Sequence, residues 1–184
     1  VYGNSVAILV GDLLLARASI IGVALGIDAI ELQAKTFERL CIGQLHESTG
    51  PSESEDPIAH YIQVLADKTG SLIAASATLG AMLGNAPTEY HAPLSEFGEK
   101  IGVAFQLIDD VIDISEAGPS GKTPGTDLRA GVPTMPVLLL RGKTDSESVE
   151  LLKEIDGDLS SDESLAAVVK KLREHEVADE GYQE

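Results

Sequence analysis

The sequence of 184 residues predicts an all-α protein, and three observations carry that expectation. Apolar residues make up 43% of the chain, yet there are only three Phe, four Tyr and no Trp. The core must therefore be built from Leu, Ile, Val and Ala, which suit close-packed helices better than sheets. Apolar positions recur with helical spacing over long segments, with no run of strand-like alternation. Helix punctuation separates those segments at Gly26, Gly50-Pro51, Gly84-Asn85 and Pro87. The length suits one domain over 1–184, with enough chain to bury a core.

The elements follow in order. Asn4 to Leu25 reads as a helix ended by Gly26, and Asp28 as the N-cap of a second helix that stops at Thr49-Gly50-Pro51. The stretch from Val6 to Ile27 is long and apolar, but Asp12 and Arg17 fall inside it, each costing about 2.5–3.5 kcal/mol at a bilayer centre. A buried helix is expected instead, in which Asp12 needs a partner from Arg17 or a neighbouring helix. Cys41 lies between apolar residues of the second helix and is expected as a small buried thiol. A single cysteine leaves no disulfide framework and no cysteine zinc site within the chain, so a reducing, cytoplasmic setting is expected.

Ser52 to Asp56 is an acidic linker, and Asp56-Pro57 starts a third helix running to Leu83. The uncharged stretch Thr69 to Thr88, which overlaps the end of that helix, is rich in Ser, Thr, Ala and Gly and reads as buried rather than membrane-spanning. A fourth helix spans Pro93 to Ser115. The stretch 116–133, rich in Gly, Pro and Thr, is the one long irregular segment, and such loops in compact helical domains are commonly functional. Short helices follow at 134–141, 146–155 and 162–174. The net charge of −17 excludes nucleic acid as partner, because that affinity needs Lys and Arg on phosphates. Residues 145–184 form an acidic helical tail suited to solubility. The start lacks the basic region of a signal peptide, and its first residue is Val1, so the chain is expected to be a portion of a longer protein.

The fourth helix carries the sharpest chemical signal. Gln106, Asp109, Asp110 and Asp113 share an arc of about 100° opposite an apolar face that includes Phe97, Ile101, Phe105, Ile108 and Ile112. Asp109 and Asp113 are four residues apart, where like charges destabilise a helix. No Lys or Arg lies between Lys100 and Lys122 to relieve them. Oxygen ligands crowded in this way point to a divalent cation, and to Mg2+ in particular, which takes one or two carboxylates with waters and substrate phosphates; the alternative is an exposed acidic stripe. The following loop offers Lys122, hydroxyls, Asp127 and Arg129, as a lid over a metal-bound diphosphate would. Gly121-Lys122-Thr123 is not a P-loop, since Glu116 stands where a Gly is needed and a helix, not a strand, precedes it. Lys68-Thr69 interrupts an apolar helix, either as a surface lysine or as a phosphate ligand. Gln44 and Glu47 form a smaller polar patch. His46, His60, His91 and His175 show no metal-ligand spacing.

Together these segments resemble the trans-isoprenyl (polyprenyl) diphosphate synthase family. Phe105-Gln106-Leu107-Ile108-Asp109-Asp110-Val111-Ile112-Asp113, followed by Gly121-Lys122-Thr123-Pro124-Gly125-Thr126-Asp127-Leu128-Arg129, looks like its second aspartate-rich motif and adjoining loop. Gly11-Asp12, Gly43-Gln44-Leu45-His46-Glu47 and Lys68-Thr69-Gly70-Ser71-Leu72 match in order, and the wording is closest to bacterial long-chain enzymes. The resemblance implies an isoprenoid-synthase-type helical bundle around an apolar cavity. It also implies Mg2+-dependent condensation of isopentenyl diphosphate with an allylic prenyl diphosphate. Asp109, Asp113 and Asp127 would serve a metal ion, with Asp110 in support. Lys68, Lys122 and Arg129 would hold diphosphate, Thr69 and Gln106 would face the allylic cation, and Gln44 and Glu47 would line the cavity. A homodimer is expected, with no transmembrane segment but with peripheral membrane contact for product release. The family's first aspartate-rich motif would lie just upstream of Tyr2, so the chain reads as the second half of an enzyme and is expected to be inactive alone. A terpene cyclase and a non-catalytic partner subunit are the rival readings. The Lys68-Thr69 pair and the Gly121–Asp127 loop speak against the first, and retention of the acids and Lys122 against the second.

Overall fold

A computed structural model describes residues 3–115 and 124–180 of the chain, and all the regular structure in them is helical. In order, the helices are α1 (Asn4–Leu25), α2 (Ile27–Thr49), α3 (Pro57–Leu65), α4 (Ser71–Leu83), α5 (His91–Ile114), α6 (Thr126–Ala130), α7 (Met135–Arg141), α8 (Ser146–Ile155), α9 (Asp162–Glu174) and α10 (Glu176–Glu180). A five-residue π turn, Ala66–Gly70, joins α3 to α4. The third helix expected from the sequence is thus broken, at the Lys68-Thr69 pair. Its start is as expected, with Asp56 accepting the N–H groups of Ile58 and Ala59 at 2.8 and 2.9 Å. Asp28, by contrast, lies inside the first turn of α2, which follows directly from Gly26 at φ +107°. The 116–133 segment contains the short helix α6, and α10 extends the chain beyond the last expected helix.

The chain divides into two compact units, one of residues up to 49 with 64–102, the other of residues 50–63 with those from 103 on. In the first, α2 packs on α1, on the π turn and on α4. Small residues permit close approach. A Cβ on Gly43 would lie 2.7 Å from Cβ of Asp67, and one on Gly102 would lie 2.5 Å from Cα of Gly70. Backbone therefore meets backbone where α5 crosses the π turn. An apolar groove of about 290 Å³ opens between α1, α2 and α4, lined by Leu15, Leu32, Phe37, Leu40, Leu72 and Leu79 among others.

Two burial expectations are corrected here. Leu9 and Leu14 of α1 are 66% and 64% exposed, and only Gly22 is buried, so Asp12 needs no internal partner. The helix is long and apolar enough to cross a membrane by length and composition, and α2 is its main neighbour. Cys41 of α2 is exposed, not buried. The apolar face of α5 is exposed as well, at Phe97, Ile101, Phe105, Ile108 and Ile112.

The second unit has the denser core. Ile114, Leu140, Leu165, Leu172 and Val177 are almost fully buried, with Leu128 of α6 and Leu151 of α8 beside them. Side-chain caps set its last helices. Asp145 accepts the N–H of Ser148 at 2.9 Å, and Ser161 accepts that of Ser164 at 3.1 Å.

Candidate active site

The expected site residues fall in both units. In the first, Lys68 on the π turn extends its ammonium to Glu47 of α2, 2.6 Å from Oε2. The same oxygen accepts from Nε2 of Gln44 at 2.7 Å. Glu47, Gln44 and Lys68 are thus one hydrogen-bonded group, and both Lys68 and Glu47 are partly screened from solvent. Thr69 follows on the same turn, half-buried. Behind this group Arg39 of α2 donates through Nε to Oδ1 of Asp67 at 2.5 Å, and through Nη1 to Glu99 of α5. Sequence reasoning missed that triad, because its members are 28 and 60 positions apart.

In the second unit the acidic turn of α5 is sorted by depth. Asp109, Asp113 and Gln106 are half-buried, whereas Asp110 is 5% exposed. Oδ2 of Asp110 accepts the Tyr61 hydroxyl at 2.6 Å and the Met135 N–H at 2.9 Å, tying α3 and the start of α7 to α5. Burial pushes the Asp110 carboxyl up to about 6. The two hydrogen bonds hold it down, while the charges of Asp127 and Asp109 add to the rise. Asp110 therefore has an inward-facing, structural geometry that its place on the polar arc does not reveal. Tyr61 was not anticipated either.

The loop returns onto α5 at Asp113. Gly125 donates its N–H to the Asp113 carbonyl at 2.7 Å, and Asp127 donates its N–H to Oδ2 of Asp113 at 3.2 Å. Arg129, two residues on, is held by Asp162 at 2.5 Å and lines an open cleft of about 690 Å³ with Val132, Arg141 and Leu159. Lys122 lies outside the described residues. Among those described, no three His, Cys, Asp or Glu side chains converge closely enough to enclose a metal by themselves. Asp109, Asp113 and Asp127 each offer carboxylate oxygens only. That chemistry fits Mg2+ completed by water and phosphate, and does not fit a soft metal.

The polyprenyl synthetase family model matches residues 1–172. The chain belongs to the polyprenyl synthetase family. It is 43% identical over 173 residues to a nonaprenyl diphosphate synthase of Mycobacterium tuberculosis, covering 94% of this chain and 52% of that protein. A second protein of that organism, a dimethylallyltranstransferase, is 39% identical over the same length. Among solved structures, a geranylgeranyl pyrophosphate synthase from Corynebacterium glutamicum, complexed with calcium and isoprenyl diphosphate, superposes with TM-score 0.84 at 42% identity. It covers 97% of this chain and 55% of that one. A Caulobacter crescentus polyprenyl synthase, also with calcium and isoprenyl diphosphate, gives TM-score 0.85 at 26% identity. The chain thus spans about half the length of the synthetases it matches, and its all-α fold is theirs over that span.

Proposed function

We propose that the protein takes part in the Mg2+-dependent condensation of isopentenyl diphosphate with an allylic prenyl diphosphate, giving a longer polyprenyl diphosphate. The observation that carries this reading is the docking of the Gly125–Asp127 turn on Asp113, which adds Asp127 to the acidic turn of a chain that belongs to this family. Solved relatives complexed with a divalent cation and isoprenyl diphosphate support it.

In this reading Asp109, Asp113 and Asp127 present oxygens to Mg2+. Bound there, the metal would supply positive charge where the departing diphosphate gathers negative charge. Lys68, Lys122 and Arg129 hold the allylic diphosphate. Free of substrate, Lys68 rests on Glu47, so phosphate oxygens exchange with a carboxylate at that ammonium. Thr69 and Gln106 turn dipoles toward the allylic cation, which the double bond of isopentenyl diphosphate attacks before a proton is lost. Asp110 supports from within. The protein works as a homodimer in the cytoplasm and touches membrane only peripherally, for product release.

Incorporation of radiolabelled isopentenyl diphosphate onto farnesyl and geranylgeranyl primers tests this, using protein expressed from its natural open reading frame. Elongation that needs Mg2+ and falls by orders of magnitude in Asp109→Ala is expected. Full activity in that variant would overturn the assignment.

A further inference from the structure

We infer that Arg39 is a positioning residue, a clamp that fixes the π turn on which Lys68 and Thr69 are presented. The inference rests on the reading of those two residues as substrate-facing. A π turn adds one residue to the helical ladder and is held by fewer well-aligned backbone hydrogen bonds than an α-turn, so its shape depends on what surrounds it. Here the surroundings are specific. Asp67, the residue before Lys68, is 5% exposed and receives Nε of Arg39 at 2.5 Å. Nη1 of the same guanidinium reaches Glu99 of α5. One rigid, planar group thus joins three elements: α2, the turn and α5. A lysine, with a single point of charge, has no second edge to offer.

The packing converges on the same place. The Gly43 backbone abuts Asp67 and the side chain of Lys68, and Gly102 abuts Gly70. The turn is therefore enclosed by backbone on two sides and anchored by Arg39 through its buried acid. The bonds that the clamp uses run from Arg39 to Asp67 and Glu99. Its effect passes through Asp67.

Three variants of the enzyme expressed from its natural open reading frame test the clamp: Arg39→Met, Arg39→Lys and Glu99→Gln, with Lys68→Ala as the reference. Arg39→Met should raise KM for the allylic diphosphate and lower kcat/KM by roughly 10- to 100-fold, the range for an ångström-scale misplacement. Amide exchange should quicken at residues 66–71 before it does in α8 and α9. Arg39→Lys should recover part of the loss, and Glu99→Gln, which keeps one of the two anchors, should show the same pattern at lower amplitude. Unchanged KM and unchanged exchange at 66–71 in Arg39→Met and Glu99→Gln would overturn the clamp, as would exchange quickened equally in every helix. If Lys68→Ala leaves KM unchanged, the substrate-facing reading fails instead, and the exchange at 66–71 still decides whether Arg39 holds the turn.

Discussion

Replacing Tyr61 by Phe removes one oxygen and little else, which makes it a clean test of the buried acid on α5. The lost contact is a 2.6 Å hydrogen bond to Oδ2 of Asp110. A hydrogen bond to a charged partner is worth about 1.5–3 kcal/mol, a neutral one about 1 kcal/mol. Because Asp110 is pushed up to about 6 from 3.8, folding disfavours its ionised form. The folded state then holds more protons than the unfolded state between those values, so stability from this group falls as pH rises from about 4 to about 6. The shift corresponds to a penalty on the order of 2–3 kcal/mol at neutral pH. Tyr61 reduces that penalty, and without its donor the Asp110 carboxyl should rise further and the window should extend above pH 6. Urea unfolding followed by circular dichroism, with EDTA present, should show Tyr61→Phe destabilised by about 2 kcal/mol at pH 7.5 and by about 1 kcal/mol at pH 5. An equal loss at both values, or a larger loss at pH 5, would refute the account of Asp110.

Other expectations follow from the same geometry. In calorimetry, Asp109→Ala should bind Mg2+ together with diphosphate more weakly than the unmodified protein, since each ion screens the other's repulsion from the site; equal binding would remove Asp109 from the metal set. Gly43→Ala places a methyl 2.7 Å from Cβ of Asp67 and should cost about 1–3 kcal/mol by overpacking, read as a lowered urea midpoint. Met135→Ala, at a fully buried side chain, should cost about 2–5 kcal/mol; a loss below 1 kcal/mol would mean that the start of α7 repacks freely. Residues 1–184 alone should incorporate no appreciable isopentenyl diphosphate, since they contain one aspartate-rich motif; turnover at an ordinary enzymatic rate would show that one motif suffices.

The boundaries of most helices were legible because their signals are local. Gly26 at φ +107°, Asp56 with Pro57, and Asn85 at φ +54° each act within a few residues of their own position. The acidic turn of α5 was legible for the same reason, from spacing alone. Depth was not. Asp109 and Asp110 are neighbours on one arc, and it is Tyr61 and the Met135 N–H, brought in from other helices, that enclose the buried acid beside its half-buried neighbour. The Arg39–Asp67–Glu99 triad joins residues too far apart in the chain for any periodicity to pair them. Apolar periodicity likewise marks a face that suits burial, without saying what meets it; α1 has such residues in abundance and leaves them exposed.

The contact between Gly102 and Gly70 also constrains how this sequence can change over time. The Cβ of an alanine at position 102 would intrude on the Gly70 backbone, while one at position 70 would sit 3.0 Å from the Glu99 carbonyl oxygen, one turn away on the same helix. Both substitutions draw on the same small separation between α5 and the turn. If α5 retreats to admit a methyl at one position, the room so created lowers the cost of a second at the other. The two changes should therefore be less damaging together than the sum of each alone. A lineage that leaves glycine at one position is then freer to leave it at the other, whereas one that keeps both stays confined to the short helix separation. The pair at 70 and 102 thus acts as one spacer, setting how closely α5 and the turn approach.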